Sequence, residues 1–133
     1  MVIYLFIGNR WYIVIFRVII AGSRNFDDYN LLRFKMNYYL RDKIFEGYTI
    51  VVISGTARGA DKLGERYAED MGFKIERYPA NWDLGKSAGY KRNVEMAKVA
   101  DACVVFYNGT SPGTRHMINI AKSRSLQLRI VNI

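Results

Sequence analysis

The stretch of sequence that decides the fold is Ile50–Asp61, IVVISGTARGAD. Four apolar residues open it, small and polar residues follow, and apolar residues then recur at helical spacing as far as Met71. A buried strand, a glycine-rich turn and a helix start form one βα unit of a parallel sheet. Backbone N–H groups and the positive end of the helix dipole would face an anion at this turn, and Arg58 adds a fixed positive charge. We therefore predict that a phosphate-bearing ligand binds here.

The rest of the chain alternates between the same two kinds of element. Apolar runs predict further strands at residues 17–21, 73–78, 102–107 and 126–133, beside the one at 49–54. Apolar residues at helical spacing predict helices at residues 60–71, 86–100 and 115–124, after a first helix that Asp27 or Asp28 caps and Gly47 ends. This alternation predicts the α/β class with a mainly parallel sheet.

Length and charge limit the classes of protein that fit. A chain of 133 residues suits one domain, and 50% hydrophobic residues are ample for its core. A net charge of +8 attracts nucleic acid, anionic membranes and phosphorylated metabolites. The basic residues are spread over several segments rather than gathered in one run. Solvated helix surfaces therefore explain the charge at least as well as a nucleic-acid surface does.

The chain offers little for disulfide or metal chemistry. It has one cysteine, Cys103, inside an apolar run, and one histidine, His116. A single cysteine excludes an intramolecular disulfide framework, and the pair supplies too few ligands for a His/Cys zinc site. We expect a buried Cys103, no bound metal and a reducing, cytoplasmic location.

Residues 1–16 form an apolar N-terminal extension to which we assign no role. The order of its charged and apolar residues does not match a signal peptide, and its interrupted apolar run is short for a membrane span. Gly8 and Asn9 are suited to the turn of a hairpin, so an extra strand or hairpin is expected here. An alternative is that translation starts upstream of a domain that begins near Arg17. The domain itself is expected to span residues 17–133.

Three predicted loops carry similar chemistry at the carboxyl ends of strands. They are Gly22-Ser23-Arg24, Gly55–Asp61 and Gly109–Thr114, and they combine glycine, hydroxyl and arginine residues. Parallel sheets bind ligands at this edge, where the strand order reverses. Neither a Walker A nor a GxGxxG motif is present. The repeated chemistry nevertheless favours one phosphate site built from several loops.

These motifs resemble a known family. In order, they are Gly22-Ser23-Arg24, the segment Ser54–Asp61, Ala80-x-Trp82, the segment Gly85–Met96, and Gly109-x-Ser111-x-Gly113-Thr114. From about Arg17 to the C-terminus the chain resembles the YspA-type, cpYpsA-related branch of the SLOG superfamily. That superfamily is Rossmann-like, with three layers. It includes cytokinin-activating phosphoribohydrolases, once described as lysine decarboxylases, the DprA DNA-processing proteins and sensor domains for nucleotide-derived signals. Members of this branch often occur in phages and prophages.

The resemblance implies a pocket for a nucleotide or a nucleotide derivative such as an ADP-ribose-like molecule. The residues that it implies from the loops are Gly22, Ser23, Arg24, Ser54, Gly55, Arg58, Gly59, Asp61, Gly109, Ser111, Gly113 and Thr114. It also implies that Lys86, Arg92 and Asn93 reach the pocket from the third helix. Their spacing agrees with one shared helix face, on which Gly89 and Met96 also lie.

One departure from the family pattern bears on catalysis. The phosphoribohydrolases carry a PGGxGTxxE-like stretch, in which the Glu serves the hydrolysis. Here the segment lacks the doubled glycine, and Met117 stands at the position of the Glu. A thioether can neither activate water nor stabilise a cationic sugar, whereas a carboxylate does both. Asp61 is the remaining loop carboxylate that could replace it, with Asp83 a weaker candidate.

Several of these residues also have a purely structural explanation. Arg24 could pair with Asp27 or Asp28, and Asp61 could simply favour a helix start. Packing over the sheet edge explains Trp82 better than stacking on a base does. Lys86 and Arg92 could be solvated, and His116 could be incidental.

Three functions follow, in order of preference. The first is binding of a nucleotide-type ligand by a sensor, sequestering or processing protein, with no other cofactor. The second is a nucleosidase or phosphoribohydrolase that uses Asp61. The third is DprA-like binding of nucleic acid. We expect no membrane partner. A homodimer or higher oligomer could form through the first helix, which carries Tyr38, Tyr39 and Phe45.

Overall fold

The computed structural model describes residues 2–133. Its strands are β1 (Tyr4–Ile7), β2 (Arg10–Ile13), β3 (Ile15–Gly22), β4 (Thr49–Ser54), β5 (Lys74–Arg77), β6 (Ala102–Tyr107) and β7 (Gln127–Asn132). Its helices are α1 (Tyr29–Glu46), α2 (Ala60–Met71), α3 (Ala88–Val99) and α4 (Pro112–Ser123), with a 3-10 turn at Trp82–Leu84. The predicted α/β alternation is therefore confirmed.

Five parallel strands form the main sheet in the order β5-β4-β3-β6-β7. The chain moves outward from β3 to β5 on one side, then returns to place β6 and β7 on the other. The strand order thus reverses between β3 and β6, and the loops that follow these two strands leave the sheet side by side. Open α/β sheets bind ligands in the crevice at this point.

Helices cover both faces of this sheet, which gives three layers. Val18 and Ile20 of β3 are fully buried on the side of α1 and α2, whereas Ile19 and Ala21 face α3 and α4. Alternate residues of a strand point to opposite faces, so a strand that is buried on both sides reads as a continuous apolar run. This is why β3, β4 and β6 could be recognised from sequence.

Local signals explain the ends of α1. The Asp28 side chain accepts a 3.1 Å hydrogen bond from the backbone N–H of Leu31, as an N-cap residue does. Gly47 ends the helix with φ at 90°, a conformation that glycine adopts without steric cost. Both predicted ends are confirmed.

Two predicted helix starts were wrong. α4 begins at Pro112 rather than Arg115, because proline is suited to the first helical position and Ser111 precedes it as the N-cap residue. Gly113 and Thr114 therefore belong to the first turn of α4 and not to the loop. α3 begins at Ala88, so Lys86 lies just before the helix and not on it.

The N-terminal residues form the expected hairpin, a two-stranded antiparallel sheet of β1 and β2. Gly8 and Asn9 turn it, with φ at 55° and 64°, which is the geometry of a type I′ turn. The N–H of Ile3 donates a 2.8 Å hydrogen bond to the carbonyl of Gly47 and so ties the hairpin to the end of α1. Within residues 2–133, no helix combines the length and apolarity needed to cross a bilayer.

Candidate ligand-binding site

A cleft of about 480 Å³ opens at the carboxyl end of the sheet, where the strand order reverses. The loops after β3, β4 and β6 form its walls together with one face of α3. Predicted site residues that line it are Gly22, Arg24, Arg58, Asp61, Lys86, Arg92, Asn93, Ser111, Gly113 and Thr114. Gly55 lines a second cavity of about 460 Å³, which shares Arg24, Ala57, Arg58, Trp82 and Arg92 with the first. The structure thus brings most of the predicted site together.

Four predicted residues, Ser23, Ser54, Gly59 and Gly109, line neither cavity. Ser23 is buried, and its Oγ lies 3.1 Å from the Oγ of Ser111 across the point of strand reversal. The same Ser23 oxygen accepts a 3.3 Å hydrogen bond from the N–H of Asn108. Ser23 therefore joins the loops after β3 and β6 from behind the cleft.

Gly59 brings the turn after β4 against the loop after β3. Its φ is 79°, and a Cβ atom on it would clash with the backbone carbonyl oxygens of Ser23 and Arg24. The next residue, Ala60, donates its N–H to the carbonyl of Ser23 over 3.2 Å. Only glycine fits so close an approach in this conformation.

Ser54 is fully buried, and its hydroxyl shapes the turn that follows β4. It donates a 2.6 Å hydrogen bond to Oε2 of Glu65 and accepts a 3.0 Å hydrogen bond from the N–H of Thr56. Glu65 also accepts a 3.0 Å hydrogen bond from Arg77. Burial raises the pKa of Glu65, but the hydrogen bonds from Ser54 and Arg77 and the charge of Lys62 outweigh it, so the pKa is lowered overall.

Glu65 was not recognised from the sequence. It follows Asp61 by four residues on α2, so both carboxylates face inward from the same side of that helix. This spacing was the available signal.

Asp61 is the acidic group of the cleft. It is 5% exposed, and its Oδ2 accepts a 3.1 Å hydrogen bond from the N–H of Ala57. Burial raises its pKa to about 6, although the Ala57 hydrogen bond and the charges of Arg92 and Arg24 act in the opposite direction. A carboxyl group with a pKa near neutrality can accept or release a proton at physiological pH.

Arg92 connects α3 with the loop after β4. Its Nη1 donates to the carbonyl of Gly55, and its Nε donates a 3.1 Å hydrogen bond to Oδ1 of Asn93. Because arginine can only donate, the atom of the Asn93 amide that faces Arg92 must be the oxygen. The amide nitrogen, Nδ2, then donates a 3.2 Å hydrogen bond to the carbonyl of Gly113. The same Nδ2 lies 3.2 Å from Nδ1 of His116. Because Nδ2 is a donor, Nδ1 accepts the hydrogen bond and carries no proton, so the imidazole is neutral. Burial lowers the pKa of His116, which also favours the neutral imidazole.

Two aromatic side chains stand at the mouth of the cleft. Trp82 is 57% exposed, and the guanidinium carbon of Arg24 lies 5.9 Å from its ring centroid. Tyr90, on α3, is 44% exposed and also lines the cleft. The expectation that Trp82 packs over the sheet edge does not match this exposure, and Arg24 lies against Trp82 without a salt bridge to Asp27 or Asp28 among the described residues.

The charge of the cleft is strongly positive. Four basic residues, Arg24, Arg58, Lys86 and Arg92, line it with one acidic residue, Asp61. The first turns of α2 and α4 add the positive ends of two helix dipoles. Such an arrangement attracts an anion, and arginine forks bind phosphate oxygens in pairs.

Further residues of the cleft were not predicted as ligand contacts. They are Ala21, Asn25, Ala57, Trp82, Gly89, Tyr90, Met96, Asn108, Pro112 and Met117. Gly89 and Met96 lie on the helix face that the spacing had already identified, and Tyr90 lies on the same helix. Met117 is 1% exposed and reaches the cleft from α4.

Within residues 2–133, no group of three or more His, Cys, Asp or Glu side chains could hold a metal ion.

Comparison with known proteins shows which family the chain matches. The sequence model of the YspA, cpYpsA-related SLOG family matches residues 16–85, which include most of β3 and the whole of β4, α2 and the glycine-rich turn. The Gene 61 protein of Mycobacterium phage D29 is 39% identical to this chain over 118 residues. That alignment covers 83% of this chain and 91% of the phage protein.

Proposed function

Because the chain belongs to the YspA, cpYpsA-related SLOG family, we propose that it binds a nucleotide or nucleotide-derived ligand in the cleft at the point of strand reversal. One observation carries the proposal: three loops and one helix face converge on a cleft with four basic side chains and one carboxylate. The protein would sense, sequester or process that ligand. A cytoplasmic location belongs to the same proposal, since the buried free thiol of Cys103 fits a reducing compartment.

Each part of a nucleotide has chemically suitable partners in the cleft. Arg24, Arg58 and Arg92 would neutralise phosphate oxygens beside the first turns of α2 and α4. The carboxylate of Asp61 would accept hydrogen bonds from ribose hydroxyl groups. The exposed ring of Trp82 offers a base a surface for stacking.

The adjoining cavity favours a ligand with two ends. The two cavities share Arg24, Arg58 and Arg92, which would sit at the middle of a ligand that occupied both. A diphosphate at these arginines, with a nucleoside on one side and a second sugar on the other, matches this arrangement. That is the chemistry of an ADP-ribose-like molecule.

The first experiment is mass spectrometry of small molecules that are released when freshly purified protein is denatured. Arg58→Ala removes a cleft charge, and Arg124→Ala is the matched control because it removes an exposed arginine that does not line the cleft. We expect a nucleotide-type mass from the wild type and from Arg124→Ala, and its loss from Arg58→Ala.

A thermal-shift panel of mononucleotides, dinucleotides and ADP-ribose completes the test. Ligand at a hundred times its Kd stabilises the folded state by about 2.7 kcal/mol, which gives a readily measured rise in Tm. If no nucleotide is released and none in the panel stabilises the wild type, the proposed function is wrong.

Hydrolysis of an N-glycosidic bond is the second candidate, and the pKa of Asp61 favours it. At neutral pH a carboxylate with a pKa of about 6 is largely ionised and can accept a proton from water. The oxygen of that water would bond to the anomeric carbon as the bond from that carbon to the base nitrogen breaks. The base would leave with the bonding electron pair and take up one proton.

Chromatography of nucleotides incubated with the protein tests this candidate. Free base and sugar phosphate should accumulate with the wild type and should fall to background with Asp61→Asn. Binding of intact nucleotide without release of base would leave ligand binding in place and reject hydrolysis.

A further inference from the structure

His116, the chain's one histidine, lies on α4 outside the cleft. It is partly buried and lines neither of the two cavities, so it is not placed to act on a bound ligand directly. Its contacts nevertheless lead to the cleft. The side chain of His116 meets Asn93 and Tyr90, which both belong to α3, the helix that carries Arg92.

Asn93 links His116 to Arg92. It is 5% exposed, and its Oδ1 accepts a 3.1 Å hydrogen bond from Nε of Arg92. Its Nδ2 lies 3.2 Å from the carbonyl oxygen of Gly113 and 3.2 Å from Nδ1 of His116. An amide nitrogen has two hydrogens, so these two acceptors use both of them. A buried amide that is bonded in this way has one favoured orientation, and that orientation presents its oxygen to Arg92.

The guanidinium of Arg92 is held at two of its three nitrogens. Nε donates to Asn93, and Nη1 donates to the carbonyl of Gly55. The guanidinium lies against bare backbone, because a Cβ atom on Gly55 would be 2.8 Å from Nη1. In the described part of the chain, Nη2 donates to no acceptor, and Arg92 lines both cavities. Nη2 is thus the donor that remains for a ligand.

We propose that His116 is a positioning residue, which holds Arg92 in its ligand-binding orientation through the amide of Asn93. Nδ1 of His116 takes one hydrogen of that amide, and the amide oxygen then fixes Nε of Arg92. A side chain that is ordered before an anion arrives loses less conformational entropy on binding, which raises the affinity. The proposal rests on the proposed function, because it assigns Arg92 to the ligand.

The acceptor at Nδ1 carries this role. Without it, one hydrogen of a buried amide would have no partner, which is unfavourable, and the amide would turn towards another acceptor and release Arg92. The imidazole ring also contacts Tyr90, with ring centroids 4.4 Å apart. Packing against Tyr90 is therefore the competing explanation for His116. The two explanations make different demands, since one needs an acceptor and the other needs a ring.

Two variants separate the acceptor from the ring. His116→Asn keeps an acceptor, because its Oδ1 is as many bonds from Cα as Nδ1 of histidine is, but it removes the ring. His116→Phe keeps a ring beside Tyr90 and removes the acceptor. Asn119→Ala is the matched control, since it removes an exposed amide from the same helix.

Titration calorimetry with ADP-ribose measures the affinity of each variant. His116→Asn and Asn119→Ala should stay within about twofold of the wild type. His116→Phe should bind about three- to tenfold more weakly. Unless His116→Phe binds more weakly than His116→Asn, the proposal is wrong, because packing against Tyr90 would then explain the residue.

A second background shows whether the effect passes through Arg92. Lysine lacks the Nε–H that Asn93 holds, so in Arg92→Lys the further change His116→Phe should alter the affinity by less than about twofold. The same loss in both backgrounds would overturn the proposal, since His116 would then act on binding by another route.

Nitrogen NMR of the ligand-free protein tests the hydrogen bonds apart from any ligand. Nδ1 of His116 should have the shift of an unprotonated nitrogen at neutral pH. The Nε–H of Arg92 should exchange slowly with solvent in the wild type and in His116→Asn, and faster in His116→Phe. A protonated Nδ1, or an unchanged exchange rate in His116→Phe, would overturn the proposal even if nucleotide binds. If the signals are as expected but no nucleotide binds, the proposed function fails while the link from His116 to Arg92 stands.

Discussion

The hydroxyl of Ser54 donates a 2.6 Å hydrogen bond to the buried carboxylate of Glu65, one helical turn beyond Asp61. The same hydroxyl accepts a hydrogen bond from the N–H of Thr56, a residue whose φ is 67°. A buried polar pair in the core thus holds the backbone from which Ala57 donates to Asp61 and Arg58 faces the cleft. The geometry of the site depends on these two residues although neither lines it.

Ser54→Ala should therefore lower stability more than an ordinary serine substitution. It removes a donor from a buried carboxylate and an acceptor from Thr56, which should cost about 1–3 kcal/mol of unfolding free energy. Urea denaturation measures the change. Ser123→Ala is the control, because Ser123 is exposed and its hydroxyl only donates to the carbonyl of Ile120 in its own helix. Equal losses for the two variants would contradict this role.

The cost of Ser54→Ala should also depend on pH. The folded state lowers the pKa of Glu65, so its ionised form contributes stability that is fully present above its ordinary pKa of 4.5. That contribution is lost as the pH falls through the lowered pKa of the folded state. The difference between wild type and variant should accordingly be largest near neutral pH and shrink in acid. A constant difference would show that the hydrogen bond does not favour the ionised form.

Asp61→Asn should have the opposite dependence. Between pH 3.8 and about 6, folded Asp61 holds a proton that the unfolded chain has released, so its contribution to stability falls as the pH rises. A pKa difference of about two units corresponds to about 3 kcal/mol. The Tm of Asp61→Asn minus that of the wild type should increase from pH 4 to pH 7. Asp83→Asn, at an exposed position, is the control for a lost negative charge.

Arg92→Lys should separate charge from geometry in the cleft. Lysine keeps the positive charge but cannot donate to both Gly55 and Asn93 from a rigid fork. We expect a loss of about 1–2 kcal/mol in stability and about tenfold weaker binding of the nucleotide that gives the largest thermal shift. Titration calorimetry measures the affinity. Lys91→Arg, at the exposed neighbouring position, should change neither value.

The central βα unit was predicted correctly because its signals are local. The apolar run of β4, the turn at Gly59 and the stop at Gly72 lie within a few residues of the ends that they determine. The same chemistry predicted which loops would meet at the cleft. By contrast, the start of α4 was misplaced because Pro112 was interpreted as part of a turn, whereas proline is also favoured in the first helical turn.

Contacts between distant residues could not be predicted. Ser23 and Ser111 meet across 88 residues of sequence, and their contact depends on β3 and β6 being neighbours in the sheet. The burial of Glu65 depends on β4 lying under α2, and the exposure of Trp82 depends on how the loop after β5 turns. Each of these features needs the packed fold, which local spacing does not specify.

The packing of loops at the cleft leads to the last prediction, which compares two glycines with positive φ. Gly59 has a φ of 79° and carbonyl oxygens where a Cβ would lie, whereas Gly109 has a φ of 89° and no heavy atom within 4 Å of that position. Gly109→Ala should therefore cost only the left-handed strain of about 1–2 kcal/mol. Gly59→Ala should cost clearly more, because the loops after β3 and β4 must also separate, and nucleotide binding should be lost with it. Equal Tm values for the two variants would show that Gly59 is needed only for its backbone conformation and that the close approach to Ser23 contributes nothing.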